Sequence, residues 1–293
     1  DKNETSVKGI PADANISNLS WSPDESKLAF TNTTTTGNEL WILDLQSATA
    51  KKLTDAVLNA NLGNPITWSK NNQELLVKVI PANKAELINA NKSIPNGPIV
   101  SEAAAGVAAQ NRTYQDLLKN KTDEANFETI ITSELYLVDL NGNKKLFKKA
   151  DMYAGEVFSP DGNYILLTTI QKPFSYVVPL NRFPMKTVAY KATGEEVAVV
   201  NDVALNEVLP KGFMAVREGK RSMSWRADQP ATLFFVEALD GGDPAKEVSH
   251  RDALYTWEAP FTNAPELLTQ TPQRFGGISW GDTHTAIVYD QWY

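Results

Sequence analysis

The chain has 293 residues, 28 Lys and Arg against 35 Asp and Glu, and a formal charge of −7; 42% of it is hydrophobic and 22% charged, enough apolar material for a sizeable globular core. With no cysteine and only two histidines, disulfides, thiolate metal sites, cysteine nucleophiles and multi-histidine metal centres are excluded. No basic block offers a surface to nucleic acid or an anionic membrane. No apolar run reaches the roughly 18 residues that a membrane span requires.

Residues Asp1 to Ser20 read as a polar lead-in strand interrupted by Gly9-Ile10-Pro11. No amino-terminal signal segment is visible, and removal of one would make the protein periplasmic or secreted. The first strong pattern is Trp21-Ser22-Pro23-Asp24-Glu25-Ser26-Lys27-Leu28-Ala29-Phe30, an aromatic residue, a tight turn and a buried strand. It returns in its fullest form at Phe158-Ser159-Pro160-Asp161-Gly162-Asn163-Tyr164-Ile165-Leu166-Leu167. There Pro160 presets φ for a type I turn and Gly162 relieves the exit. Looser copies are anchored by Trp68, Trp225 and Trp280, so the anchors stand at 21, 68, 158, 225 and 280. A period of roughly 40 to 50 residues is that of propeller blades.

Each clear copy is followed by an alternating strand, Glu39–Leu45 or Glu134–Leu140, and then by a short segment, Ala50–Thr54 or Asn143–Phe147. Asn141-Gly142 supplies a hairpin turn between two of these. The expected fold is all-β, a β-propeller of four-stranded blades with about five blades recognisable across 1-293. The second blade breaks off after Val79-Ile80-Pro81, and the strand pattern stops until about Thr132. This 82-132 stretch reads as a partly helical insertion within that blade, with helix-favouring runs at Ser101–Ala105 and Asn111–Lys119. An insertion of this length serves either as a flap over a sheet edge or as a rim element over a central opening. In the third blade, the prolines of Lys172–Pro184 predict an edge strand or a bulge. The last blade stops in mid-pattern at Trp292-Tyr293.

The segments Trp21-Ser22-Pro23-Asp24, Arg112–Lys119, Pro173–Pro179 with Arg182-Phe183-Pro184, and Asp240-Gly241-Gly242-Asp243 followed by Arg251-Asp252 form a specific set. Together they resemble the propeller region of glutamyl endopeptidases, within the prolyl oligopeptidase family of serine peptidases that also holds the acylaminoacyl peptidases. The resemblance covers essentially the whole chain. It implies a seven-bladed propeller capping an α/β-hydrolase domain that carries the catalytic serine, aspartate and histidine. These residues depart from that pattern, because the hydrolase part is missing and the propeller is incomplete at both ends. The implied partners are peptide substrates and the hydrolase domain of the same polypeptide, with no cofactor and no metal. The propeller's expected role is to gate peptide access, and the alternative is a stand-alone propeller that serves as a protein-binding scaffold.

Gly277-Ile278-Ser279-Trp280-Gly281 satisfies the G-x-S-x-G pattern of a nucleophile elbow, with His284 close behind. A strand continues through Thr285–Tyr289, where an elbow requires a helix, so Ser279 is read as part of a blade and no residue is assigned as catalytic. Asp240-Gly241-Gly242-Asp243 is read as a turn before a cation site. The candidate substrate-binding residues are Arg182, Arg217, Arg221, Arg226 and Arg251, whose guanidinium groups suit a peptide carboxylate. The competing expectation is that they pair with acids such as Glu218, Asp228 and Asp252.

Overall fold

The computed structural model describes residues 4–89 and 114–293. They divide into two compact units, Asp1–Leu87 with Ala125–Phe158, and Ile88–Glu124 with Ser159–Tyr293.

In the first unit, β1 (Ile16–Trp21), β2 (Lys27–Thr34), β3 (Gly37–Asp44) and β4 (Thr49–Lys52) form an antiparallel meander in chain order. A second meander follows, from β5 (Ile66–Trp68) and β6 (Glu74–Val79) to β7 (Ser133–Asp139) and β8 (Lys144–Asp151). Strand β9 (Tyr153–Phe158) closes the unit. In the second unit, β10 (Tyr164–Ile170), β11 (Met185–Lys191) and β12 (Glu196–Val203) pair in sequence. A four-stranded meander comes next, β13 (Arg221–Trp225), β14 (Thr232–Ala238), β15 (Asp252–Glu258) and β16 (Glu266–Thr271). A two-stranded hairpin ends the chain, β17 (Arg274–Asp282) and β18 (Thr285–Gln291). These antiparallel meanders are propeller blades, and the protein is all-β as its repeats predict.

Three of the anchors, Trp68, Trp225 and Trp280, pack on the sheet before them. Trp68 lies with Ala29, Leu40 and Ile42 of the first sheet in one buried cluster, and its indole N–H donates to the Ser20 carbonyl at 2.9 Å. Trp225 and Leu233 share a core with Leu166, Ala189 and Val200. Trp280 meets Phe234 edge-on at 5.7 Å. Trp21, the first anchor, has no such cover and stands 58% exposed. Aromatic pairs of this geometry add about 0.5–1.5 kcal/mol to their area burial.

The turns after Trp21 and Phe158 are built the same way. In the fullest copy the Gly162 N–H donates to the Ser159 carbonyl at 2.9 Å, the Ser159 hydroxyl to Asp161 at 2.5 Å, and the Asn163 N–H to Asp161 at 3.0 Å. In the first copy the Glu25 N–H donates to the Ser22 carbonyl at 2.9 Å and the Ser22 hydroxyl to Asp24 at 2.6 Å. Bonds from the Ser22 hydroxyl and the Ser26 amide hold the Asp24 carboxyl down at about 2, so the turn keeps its ionised anchor well into acid. The exit position is left-handed in three copies, with φ 75° at Gly162, 60° at Asn72 and 57° at Glu25. Only glycine accepts that conformation without cost. Replacing Glu25 by Gly is therefore expected to stabilise the protein by about 0.5 kcal/mol, after allowance for glycine's freedom in the unfolded chain. A urea midpoint that rises checks this, and one that falls contradicts it.

Two local expectations need correction. The helix lies at α1 (Lys121–Ile131), where Asn120 caps it by accepting the Asp123 N–H at 2.9 Å. Tyr114–Lys119 is not helical, while Ser101–Ala105 and residues 111–113 fall outside the described residues. Lys172–Pro184 is not a strand but a loop containing a short 3-10 turn, Leu180–Arg182. Its prolines deny it ladder hydrogen bonds, and Phe174 stacks on Phe183 at 5.6 Å to hold it closed.

Candidate functional site

The polar centre of the second unit is organised by an arginine that the sequence reading passed over. Arg274 opens β17 and is only 2% exposed. Its guanidinium donates to Asp240 at 2.6 Å, Asp252 at 3.1 Å, the Met214 carbonyl at 2.9 Å and the Arg251 carbonyl at 3.2 Å. Asp252 also accepts the Phe275 N–H at 2.6 Å. Burial pulls the Asp240 carboxyl upward, but the bonds from Arg274 and Arg251 outweigh it and hold the group below the ordinary carboxylate range. Asp240-Gly241-Gly242-Asp243 is the turn it was read to be, and the cation beside it is Arg274. The Gly242 N–H donates to the Asp240 carboxylate at 2.9 Å. Gly242 has φ 78°, and a Cβ there would lie 1.9 Å from the Val216 carbonyl oxygen, so no other residue fits.

The five arginines singled out as carboxylate receptors have unequal surroundings. Arg221 pairs with Asp252, Arg251 pairs with Asp240 at 2.9 Å, and Arg226 grips Asp228 with contacts at 3.1 and 2.6 Å. Arg226 also lies over Trp280 at 4.2 Å and Arg251 over Trp292 at 4.0 Å. Arg182 covers the Tyr114 ring at 5.5 Å. Asp228 and Asp252 thus each pair with an arginine of the set, while no arginine of the set forms an ion pair with Glu218 among the described residues, and Arg221 and Arg251 are committed to the buried cluster. Arg217 is different. Its guanidinium donates to the carbonyls of Glu218, at 3.0 Å, and Lys220, curling onto its own turn without meeting a carboxylate. Burial, and after it repulsion from Arg221, lowers its pKa.

Ser279 lies inside β17, opposite Ile287 of β18, and a turn followed by a strand succeeds it. His284 sits in that turn, its Nδ1 2.9 Å from the Thr283 hydroxyl. The strand–turn–helix setting of a nucleophile elbow is not what surrounds Ser279. Among the described residues no three His, Asp or Glu side chains gather as a metal site, and no helix is long and apolar enough to cross a membrane.

No family model matches the chain. It is 37% identical over 301 residues to a protein of Oryza sativa subsp. japonica named "Probable glutamyl endopeptidase, chloroplastic", covering 99% of this chain and 32% of that one. A protein of the same name from Arabidopsis thaliana is 35% identical over 300 residues, with 99% and 31% covered. Along 99% of its length the chain is similar in sequence to glutamyl endopeptidases. It spans about a third of the length of the glutamyl endopeptidases it matches. Among solved structures it is similar to the acylaminoacyl peptidase of Pyrococcus horikoshii, with TM-score 0.41, 16% identity, and 83% of this chain and 30% of that one covered. It is also similar to the β-propeller domain of the Trilobed protease from Pyrococcus furiosus, with TM-score 0.44, 12% identity, and 94% and 64% covered.

Proposed function

We propose that this chain is the non-catalytic propeller portion of a serine peptidase of the glutamyl endopeptidase kind, and that it controls which peptides reach an α/β-hydrolase domain carried elsewhere on the polypeptide. The observation that carries this reading is the identity to glutamyl endopeptidases along 99% of the chain at a third of their length. The blades support it, because packed antiparallel sheets make a rigid scaffold, whereas general acid, base and nucleophile need convergent side chains. The 82-132 insertion, within the blade whose strands β6 and β7 flank it, is the proposed rim element.

Selection by size is tested on the complete polypeptide with one glutamate cleavage sequence placed in peptides of increasing length and in a folded protein. The expected result is that kcat/KM falls at least about a hundredfold between a short peptide and the folded protein, and that unfolding the substrate restores it. Equal rates on folded and unfolded substrate would remove the gating role.

A further inference from the structure

In the second unit, beside the buried arginine cluster, an open cavity of about 370 Å³ is bounded by the turn Val216–Lys220 on one side and by the segment that follows β12 on the other. Two cations stand in its wall, Arg217 and Lys220, and among the described residues neither forms an ion pair within 4.0 Å. Each is fixed in place by other means. Arg217 is bound to the carbonyls of its own turn. The Lys220 ammonium donates to the Val200 carbonyl at 3.0 Å and lies over Phe235 at 5.0 Å and Trp257 at 4.2 Å. Burial lowers the Lys220 pKa, and the attraction of Glu237 opposes that shift without cancelling it. Arg221, Arg226 and Arg251 each pair with a carboxylate, whereas Arg217 and Lys220 are held in place without an ion pair to one.

We propose that this cavity binds one carboxylate of a peptide, between Arg217 and Lys220. A single negative charge is favoured over a phosphate because Asp202 and Glu218 line the same cavity and would repel a dianion. Val208 and Leu209, also in the wall, suit the methylene stem of an acidic side chain or the residue next to a chain terminus. Because both cations are pre-positioned, little side-chain entropy is lost when the ligand arrives. The inference concerns binding and does not require the gating role to hold.

The carboxylate has two sources, an acidic side chain or a peptide C-terminus, and three labelled peptides separate them by fluorescence anisotropy. One carries a central glutamate with an amidated end, one is neutral with a free C-terminal carboxylate, and one is neutral and amidated. At least one carboxylate-bearing peptide is expected to bind about tenfold or more tighter than the neutral amidated one, and its identity names the source. Arg217→Gln with Lys220→Met should abolish that advantage without lowering the melting temperature by more than a few degrees. Glu218→Gln, which removes a repelling charge, should strengthen binding about threefold and so reads the same site without disturbing either cation. Inorganic phosphate should compete more weakly than acetate. Equal binding of all three peptides, an advantage that survives the double variant, or phosphate competing better than acetate would overturn the proposal.

Discussion

Replacing Arg274 by Met is expected to destabilise the protein by about 4 kcal/mol at pH 7, the scale of removing one partner from a buried ion-pair cluster. Two carboxylates depend on this guanidinium, and Asp240 and Asp252 are both buried, at 2% and 0% exposure. Methionine keeps most of the side-chain volume, so the loss is electrostatic and not that of a cavity. Asp240 is held below its ordinary range in the folded state. A depressed carboxylate contributes stability above its unfolded pKa and loses that contribution as pH falls toward the folded value. The gap between wild type and Arg274→Met should therefore narrow in acid. Urea unfolding at pH 7 and pH 4 measures it, and a loss below about 1 kcal/mol at pH 7 would mean that Arg251 and Arg221 suffice to hold the two acids.

A second large effect is expected in the first unit, at Lys78. Its side chain on β6 is 4% exposed and lies 3.4 Å from Glu156 of β9, itself 6% exposed. The ammonium also donates to the Leu62 carbonyl at 2.6 Å, while one Glu156 oxygen has no partner. Burial pushes the Glu156 carboxyl upward, and Lys78 opposes the shift without cancelling it. For an acid raised in the folded state the sign is the reverse of the Asp240 case. Folding holds the extra proton, so this group costs stability as pH rises above its unfolded value. Lys78→Met removes the opposing charge, and the loss should be about 3 kcal/mol at pH 8 and clearly smaller at pH 5, where Glu156 can take a proton. Adding Glu156→Leu should recover most of it, because an apolar pair of similar volume avoids desolvating either charge. A loss independent of pH, or a double variant no better than the single one, contradicts this description of the pair.

The blades were legible because their signals are local and repeated. Ser-Pro-Asp-Gly in the fullest copy specifies a turn within four residues, and the aromatic anchors recur at blade spacing whatever the loops do. Even an imperfect copy keeps its turn, since Asn72 and Glu25 take the left-handed exit that Gly162 takes freely. Arg274 was not legible, because its acids lie 34 and 22 residues earlier in the chain and nothing in its neighbourhood marks it as buried. Lys78 did carry a signal, a single charge inside the apolar run Leu75-Leu76-Val77-Lys78-Val79, since burying such a group requires a partner. The helix was misplaced for a related reason. Composition drew attention to Ser101–Ala105 and Asn111–Lys119, whereas the cap that starts α1 is Asn120 with Asp123, a pairing that only the backbone geometry reveals. For the arginines, residue type alone could not separate those paired with Asp228, Asp240 and Asp252 from Arg217, whose carboxylate partner is missing.

The central claim is that these blades position and exclude but do not react. Its most direct test is to treat the complete polypeptide with a fluorophosphonate probe and map the labelled serine by peptide mass spectrometry, alongside the kcat/KM of a Ser279→Ala variant. The account predicts a label outside these 293 residues and a kcat/KM within about twofold of wild type. A label on Ser279, with activity lost in the variant, would contradict it.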